Sequence, residues 1–350
     1  MGQHARRFGA FLLSPSLLFG SLLLLLLMLF VLSLAFGSVS IPIEQVVRVL
    51  TGQDSDHAAW ANIVTKVRLP KALTAISAGA ALGVVGLLMQ TFFRNPLADP
   101  YILGTSAGAS FGVALVILGV GAGGGTLLAG ASMVGDATLV LAAAIGGAIT
   151  MVIVLGVARN IRNQTTLLVM GLMFSYLTSA FVSLLMHFAI TERIQAYVNW
   201  SFGSFSGVTG SQLVIFLPVI LIGLFLANLL AKPLNALLLG DTYARSMGVD
   251  VKRARFLVVG CSALLTGVVT AFCGPIGFLG IAAPHIARNI FRTADHRILL
   301  PASLLIGAAA ALMATFIADM PGSNLVLPLN AITAMLGAPI VIWVLLRGQK

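Results

Sequence analysis

Long apolar runs alternate along the chain with short stretches that carry proline, glycine or charged residues. Most runs have about the 20 residues that an α-helix needs to cross the hydrocarbon core of a bilayer. Since unpaired backbone groups are costly in lipid, such runs must be helical. The pattern predicts ten spans, of which the eighth is short, at about 16–36, 70–93, 101–120, 137–158, 165–190, 211–231, 256–273, 278–292, 298–318 and 325–346.

The longer connections have patterns of their own. An amphipathic stretch suited to the membrane surface follows the first span, and an aromatic cluster with a flexible Gly/Ser link follows the fifth. Residues 232–255 predict two short helices between the sixth and seventh spans. There Asp241 can cap a helix that Gly248 ends, and Asp250 can cap the next helix.

The composition agrees with a membrane protein, because 59% of the 350 residues are hydrophobic and 9% are charged. The mean hydropathy of +1.06 also lies far outside the range of soluble domains. The predicted fold class is therefore an all-α polytopic membrane protein. The net charge of +10 does not indicate a nucleic-acid binder, because the basic residues are scattered between apolar spans.

The basic residues predict the orientation of the chain. Ten spans place both termini on one side of the membrane. If that side is cytoplasmic, five of the 20 lysines and arginines lie outside, namely Arg48, Lys66, Arg68, Lys71 and Arg193. This asymmetry follows the positive-inside rule, so we expect both termini to be cytoplasmic and the first apolar run to be a span rather than a cleaved signal.

Several motifs of soluble enzymes occur without the context they need. Residues 108–112 fit G-x-S-x-G inside an apolar span, and residues 119–124 fit G-x-G-x-x-G with no strand before them. The sequence has no Gly-Lys pair and hence no P-loop for ATP. A hydrolase that uses Ser110 with His187 or His285 is a remote alternative. An ion-driven transporter is disfavoured, because the acidic residues fall in loops or at helix ends.

Two patterns suit a transport path. Small and hydroxylated residues form a stripe on the fifth span, which either close helix packing or the wall of a water-accessible path explains. The stripe consists of Gly171, Ser175, Thr178, Ser179 and Ser183. Residues 274–280 break the chain between the seventh and eighth spans, and form either a gate element or a tight turn.

Several blocks of the sequence resemble the FecCD-type permeases, the membrane subunits of type II ABC importers for iron chelates, haem and cobalamin. The resemblance runs from about residue 68 to residue 347. Its most specific parts are Arg68-Leu69-Pro70-Lys71, Asn95-Pro96-Leu97-Ala98-Asp99-Pro100, Leu103-Gly104, Ser106-Ala107-Gly108, residues 240–255, residues 274–288, Asp295-His296-Arg297 and Leu336-Gly337-Ala338-Pro339.

The resemblance implies a transport subunit rather than an enzyme. It implies one transmembrane permease domain over residues 1–350, in the type II ABC importer permease fold, which pairs with a second copy or a related permease in a bacterial inner membrane. No cofactor or metal is expected in this chain. Separate ABC ATPase subunits bind ATP and Mg²⁺, and a periplasmic or lipid-anchored binding protein delivers the substrate.

The resemblance also assigns roles to residues. The stripe residues named above line the translocation path, Arg68 and Lys71 dock the binding protein, and Asn95, Pro96 and Leu97 narrow the cytoplasmic exit. The segment 232–255 couples to the ATPase, through Leu234, Gly240, Asp241, Ala244, Arg245, Gly248, Asp250 and Arg253. The expected activity is ATP-driven import of an iron chelate, with a ferric siderophore first and haem or cobalamin next. An ion-coupled secondary transporter is a more distant alternative.

Overall fold

The computed structural model describes residues 14–118, 134–160, 164–320 and 326–347. Every regular element in these ranges is helical. In chain order the α-helices are α1 (Pro15–Ala35), α2 (Ile43–Leu50), α3 (Ala58–Ile63), α4 (Leu69–Phe93), α5 (Thr105–Ile117), α6 (Val134–Asn160), α7 (Gln164–Phe188), α8 (Thr191–Ser201), α9 (Gly210–Leu229), α10 (Ala231–Leu238), α11 (Asp241–Ser246), α12 (Val251–Cys273), α13 (Leu279–Phe291), α14 (His296–Ala318) and α15 (Leu329–Arg347). A π-helical turn, Val64–Arg68, leads into α4, and a 3₁₀ turn, Pro100–Leu103, precedes α5.

Ten of these helices coincide with the ten predicted spans, namely α1, α4, α5, α6, α7, α9, α12, α13, α14 and α15. Within the described ranges, seven helical stretches are long and apolar enough to cross a bilayer. The helix α13 has only 13 residues, as its short apolar run predicts. The helix α5 also has 13 residues, because the chain before it forms the 3₁₀ turn and then bends at Gly104, whose φ is +75°.

Some predicted features fall outside the described residues. These are positions 119 and 120 of the third span, the glycine motif at 119–124, position 325 of the tenth span and the first residues of the chain. The tenth span itself starts later than predicted, since α15 begins at Leu329.

The helix α4 lies at the centre of the packing. The most apolar window of the stretch that contains it is 83% buried, against 11% for α1. Glycines bring its neighbours close: a Cβ added at Gly79 would lie 2.3 Å from the Gly307 carbonyl oxygen in α14, and one at Gly86 would lie 1.7 Å from the Gly280 carbonyl oxygen in α13. Such small-residue contacts let membrane helices approach each other through their backbones.

The G-x-S-x-G sequence in α5 is a packing surface, as its apolar setting predicts. A Cβ added at Gly108 would lie 2.6 Å from the Gly146 carbonyl oxygen of α6. The Ser110 side chain lies within hydrogen-bond reach of the Tyr197 hydroxyl.

The connections outside the spans are more helical than predicted. In α2 the exposed side chains of Ile43, Val47 and Leu50 form one apolar face, which agrees with the predicted amphipathic stretch. The aromatic segment after α7 was predicted as an interfacial cluster, but it forms α8 and packs against α5. Tyr197 is 9% exposed and its ring centroid lies 6.1 Å from that of Trp200. This tyrosine is therefore buried within the protein rather than exposed on its surface.

Candidate coupling and gate site

The segment between α9 and α12 folds as the two predicted short helices, α10 and α11. Leu237, Ala244 and Val251 pack together in a small apolar cluster, so the segment has a core of its own. Gly240 and Gly248 flank α11 with φ values of +106° and +80°. A Cβ at either glycine would meet nothing within 4 Å, so these residues serve the backbone conformation rather than close packing.

The two predicted helix caps in this segment have different outcomes. Asp250 does cap α12, because its carboxylate accepts a hydrogen bond from the Arg253 N–H at 3.1 Å. Asp241 does not cap α11, because it is the first residue of the helix and follows the N-cap position. Its Oδ1 instead lies 3.1 Å from Nη2 of Arg94, and its Oδ2 lies 2.6 Å from Nη2 of Arg255. The fold brings two guanidinium groups to Asp241 that the local sequence does not reveal.

The predicted coupling residues divide into buried and exposed groups. Leu234 and Ala244 are fully buried and stabilise the segment, whereas Arg245 and Arg253 are exposed. Exposed large apolar side chains that the sequence analysis did not single out lie beside them in α11 and at its ends. These are Leu239, Tyr243 and Met247. Exposed apolar residues among basic ones are typical of a protein interaction surface.

The segment is also fastened to the rest of the bundle through α10. The Asn235 amide donates to Oδ1 of Asp295 at 2.6 Å, and its Oδ1 accepts from the His296 N–H at 2.9 Å. Asp295 is the N-cap of α14, and hydrogen bonds from the Arg297 N–H and the Asn235 amide lower the pKa of its carboxyl. Asn235 therefore joins α10 to the start of a core helix.

The predicted gate residues lie in a tight loop, residues 94–99, which we call the gate loop. Arg94 ends α4 in the left-handed conformation, with φ +48°. Oδ1 of Asn95 accepts from the Leu97 N–H at 2.9 Å, which turns the chain and leaves the Leu97 side chain 36% exposed. Asp99 caps the following 3₁₀ turn, and burial raises the pKa of its carboxyl to about 6.

The gate loop is attached at two points. Nε2 of His285 in α13 donates to the Pro96 carbonyl oxygen at 2.8 Å, so this ring nitrogen carries the proton. On the other side, Nη2 of Arg94 donates to the Leu237 carbonyl oxygen at 3.3 Å and to Asp241. Arg94, which begins the gate loop, thus joins this loop to the predicted coupling segment. His285 is thus a hydrogen-bonded residue of α13.

The stripe on α7 is not one surface. Gly171 is buried, and a Cβ there would lie 2.1 Å from a carbonyl oxygen of the 3₁₀ turn. Ser175 donates to the Gly171 carbonyl oxygen at 2.9 Å, and Thr178 is 6% exposed. Close packing therefore explains Gly171 and Thr178, whereas Ser175 is half-buried, and a place of these residues in the path remains a prediction. Ser179 and Ser183 lie on the exposed face, and their role in a path remains a prediction.

Arg68, the first predicted docking residue, is buried and paired with backbone carbonyls. It is 8% exposed, and its guanidinium donates to the Leu34 carbonyl oxygen at 2.8 Å, to that of Ala35 at 2.9 Å and to that of Val39. These carbonyls lie at and just beyond the end of α1, where the helix dipole favours a cation. Arg68 therefore holds α1 against the start of α4, and docking by Arg68 remains a prediction.

Lys71, the second predicted docking residue, is paired within the chain. Its Nζ lies 2.5 Å from Oδ1 of Asp319, and the two side chains are 17% and 26% exposed. The pair lines two adjoining cavities of about 400 and 290 Å³, which also share Thr315 and Val326. An acidic group on a partner would have to compete with Asp319 for this lysine. Docking by Lys71 remains a prediction.

The broken stretch between α12 and α13 is held by side chains from distant parts of the chain. The Ile276 N–H donates to the Tyr101 hydroxyl at 2.8 Å, and the Gly277 N–H donates to Oδ1 of Asn330 at 3.0 Å. Nδ2 of Asn330 donates to the Pro275 carbonyl oxygen at 2.7 Å. Protein groups thus satisfy irregular backbone that lipid could not. The stretch is a fixed turn, and Asn330 is a residue that the sequence analysis missed.

Comparison with known proteins agrees with this geometry. The family model described as the FecCD transport family matches residues 24–347. The vitamin B12 import system permease protein BtuC of Klebsiella pneumoniae is 36% identical over 287 residues, which cover 82% of this chain and 83% of BtuC. The uncharacterized ABC transporter permease protein YvrB of Bacillus subtilis is 34% identical over 332 residues, which cover 91% of this chain and 90% of YvrB. A solved metal-chelate type ABC transporter in an inward-facing conformation superposes with a TM-score of 0.81 and 29% identity, over 95% of this chain and 99% of that one.

Proposed function

This chain belongs to the FecCD transport family of ABC importer permeases, and we propose that it is the transmembrane subunit through which a metal chelate enters the cytoplasm. The observation that carries the proposal is the direct contact between the gate loop and the segment predicted to meet an ATPase. A transporter driven by ATP needs such a link, because the nucleotide and the substrate bind at separate places.

The partner on the cytoplasmic side is an ABC ATPase, which binds the ATP and Mg²⁺. Supporting this, α11 and its ends expose Leu239, Tyr243 and Met247 beside Arg245 and Arg253. Apolar anchors flanked by basic groups suit a cleft with acidic residues at its rim. On the other face, a substrate-binding protein docks near the cavities at Lys71. The permease pairs with a second copy or a related chain.

The substrate we propose first is a ferric siderophore. Similarity to a metal-chelate type ABC transporter over 95% of the chain supports a bulky metal chelate. Similarity to BtuC, a vitamin B12 import permease, supports cobalamin as the second candidate. Haem is a third candidate from the same class. These ligands are similar in size, and each contains a chelated metal. The binding protein that delivers the ligand therefore determines the selectivity of import.

The proposed mechanism follows from the hydrogen bonds that join the gate loop to α13 and to the coupling segment. A loaded binding protein docks outside, ATP binding closes the ATPase dimer, and the closure displaces α11. The gate loop is hydrogen-bonded to this segment. Displacement of α11 therefore moves the gate loop and opens the path alternately to the two sides of the membrane.

Reconstitution of the permease with its ATPase and binding protein in vesicles tests the proposal. We expect uptake of an iron-labelled siderophore that requires ATP and the loaded binding protein, with labelled cobalamin and haem as competing substrates. Arg245→Glu should weaken co-purification of the ATPase, whereas the same change at Arg297, an exposed residue outside the coupling segment, should not. Uptake without ATP or partners would instead support an ion-coupled transporter and contradict the proposal.

A further inference from the structure

One carboxylate joins three elements on the cytoplasmic side. Oδ1 of Asp241 lies 3.1 Å from Arg94 at the end of α4, and its Oδ2 lies 2.6 Å from Arg255 in α12. Asp241 itself begins α11. The side chains are 29% exposed for Asp241, 46% for Arg94 and 21% for Arg255. The carboxylate is therefore partly shielded, and it faces two cations at once.

The gate loop lies between this carboxylate and the core of the protein. Its Pro96 carbonyl is bound to His285, which is 6% exposed in α13. The helix α13 is fixed to α4 in turn, because Nη1 of Arg288 donates to Oε1 of Gln90 at 2.5 Å. One attachment of the loop thus belongs to the buried scaffold. The other, through Arg94, reaches Asp241 of α11 and the Leu237 carbonyl oxygen of α10.

The helix α11 packs against α10 through Ala244 and Leu237, and a glycine stands at each of its ends. Gly240 and Gly248 flank it, both with positive φ and open space around the α-carbon. By contrast, α10 is bound through Asn235 to the start of α14. If a partner displaces α11 about its glycines, the Asp241 carboxylate moves with it while α10 and His285 stay in place.

We propose that Asp241 is a positioning residue that transmits displacement of α11 to the gate loop through Arg94. Arg255 supports this role, because it stays paired with the Asp241 carboxylate and keeps it oriented when Arg94 is replaced. The inference rests on the proposed function, because it presupposes an ATPase that displaces α11. A purely local role for Asp241, such as stabilising the start of α11 by its charge, predicts no effect from changing Arg94.

The test measures uptake and ATP hydrolysis together in vesicles that hold the complete transporter. The probes are an iron-labelled siderophore and labelled cobalamin. The variants are Arg94→Gln, Asp241→Asn and the double variant. Arg297→Gln is the matched control, because it removes the same charge from an exposed position on the same side outside the coupling segment.

We expect uptake per ATP hydrolysed to fall about fivefold in Arg94→Gln and in Asp241→Asn, the factor for losing one partly screened ion pair. The double variant should fall no further, because both changes break the same contact. Co-purification of the ATPase with Arg94→Gln should be unchanged, and the control should keep the native ratio.

Two results would overturn the inference: a native uptake-to-hydrolysis ratio in Arg94→Gln, or losses that multiply in the double variant. If Asp241→Asn fails to fold, Arg94→Gln alone still decides, since it leaves the Asp241–Arg255 pair in place. Failure of the proposed function is separate, because it would appear as no ATP-dependent uptake of either probe by the native complex.

Discussion

Asn330→Asp tests whether one side chain fixes the broken stretch between α12 and α13. The change keeps the size of the side chain and the Oδ1 that accepts from the Gly277 N–H at 3.0 Å. It removes the amide that donates to the Pro275 carbonyl oxygen at 2.7 Å and to that of Ser201 at 3.1 Å. The introduced carboxylate oxygen would then face two carbonyl oxygens.

The expected cost follows from the two lost hydrogen bonds. Polar contacts between membrane helices are worth about 0.6 kcal/mol each on average, which sets a lower bound of about 1 kcal/mol. A buried carbonyl left without a partner costs about 1–3 kcal/mol, which sets an upper bound of about 6 kcal/mol. Asn330 is half-buried, and each carbonyl retains a second lone pair for another donor. We therefore expect a loss of about 2 kcal/mol in the free energy of unfolding, near the lower end of that range.

The loss should depend on pH. Two carbonyl oxygens and partial burial disfavour the charged form of the introduced carboxyl. The protonated form can again donate one hydrogen bond. Stability of the variant should therefore be highest at acidic pH and fall as the carboxyl ionises.

Thermal unfolding of the purified protein, followed by tryptophan fluorescence at acidic and at neutral pH, measures the effect. Asn62→Asp is the matched control, because Asn62 is exposed in α3 and its amide donates to one carbonyl, that of Ala58, at 3.2 Å. The reasoning is refuted if Asn330→Asp unfolds at the same temperature as Asn62→Asp at both pH values.

Two further substitutions test packing and docking. Gly86→Ala should destabilise the protein by about 1–3 kcal/mol in thermal unfolding, because the new Cβ would lie 1.7 Å from the Gly280 carbonyl oxygen. Gly156→Ala, with nothing within 4 Å, should be neutral or stabilising, and equal effects at the two sites would contradict the packing argument. Asp319→Asn should raise the affinity for the binding protein up to about fivefold by releasing Lys71. Asp319→Glu is the control, and an unchanged affinity in both variants would exclude Lys71 from docking.

The spans were predictable because their signal is local. An apolar run of fixed length specifies a membrane helix whatever it packs against, and the short run of α13 became a short helix. The Asp250 cap was predictable for the same reason, since donor and acceptor are three residues apart. Asp241 carries the same local signal, but guanidinium groups 147 and 14 residues away compete for its carboxylate. Tertiary contacts of this kind leave no periodic pattern in the sequence.

Backbone strain accounts for a second contact that the sequence does not reveal. Phe278 has a φ of +67°, a conformation that is costly for a bulky residue and persists only where the surroundings enforce it. Its Cβ would lie 2.6 Å from a Cβ added at Gly337 in α15. The glycine near the end of the chain is thus required by a turn some sixty positions earlier. The sequence shows both residues but not their contact.

The two faces of the protein present charge differently, and this difference determines what substitutions there can report. On the face predicted to be external, Arg68 is bound to the end of α1, and Lys71 is paired with Asp319. On the face predicted to be cytoplasmic, Arg245 and Arg253 are exposed. A partner gains little from a charge that is already compensated, because it must first displace the existing counter-ion. Changes at Arg68 should therefore act through the attachment of α1, whereas changes at Lys71 or Arg245 can act through recognition.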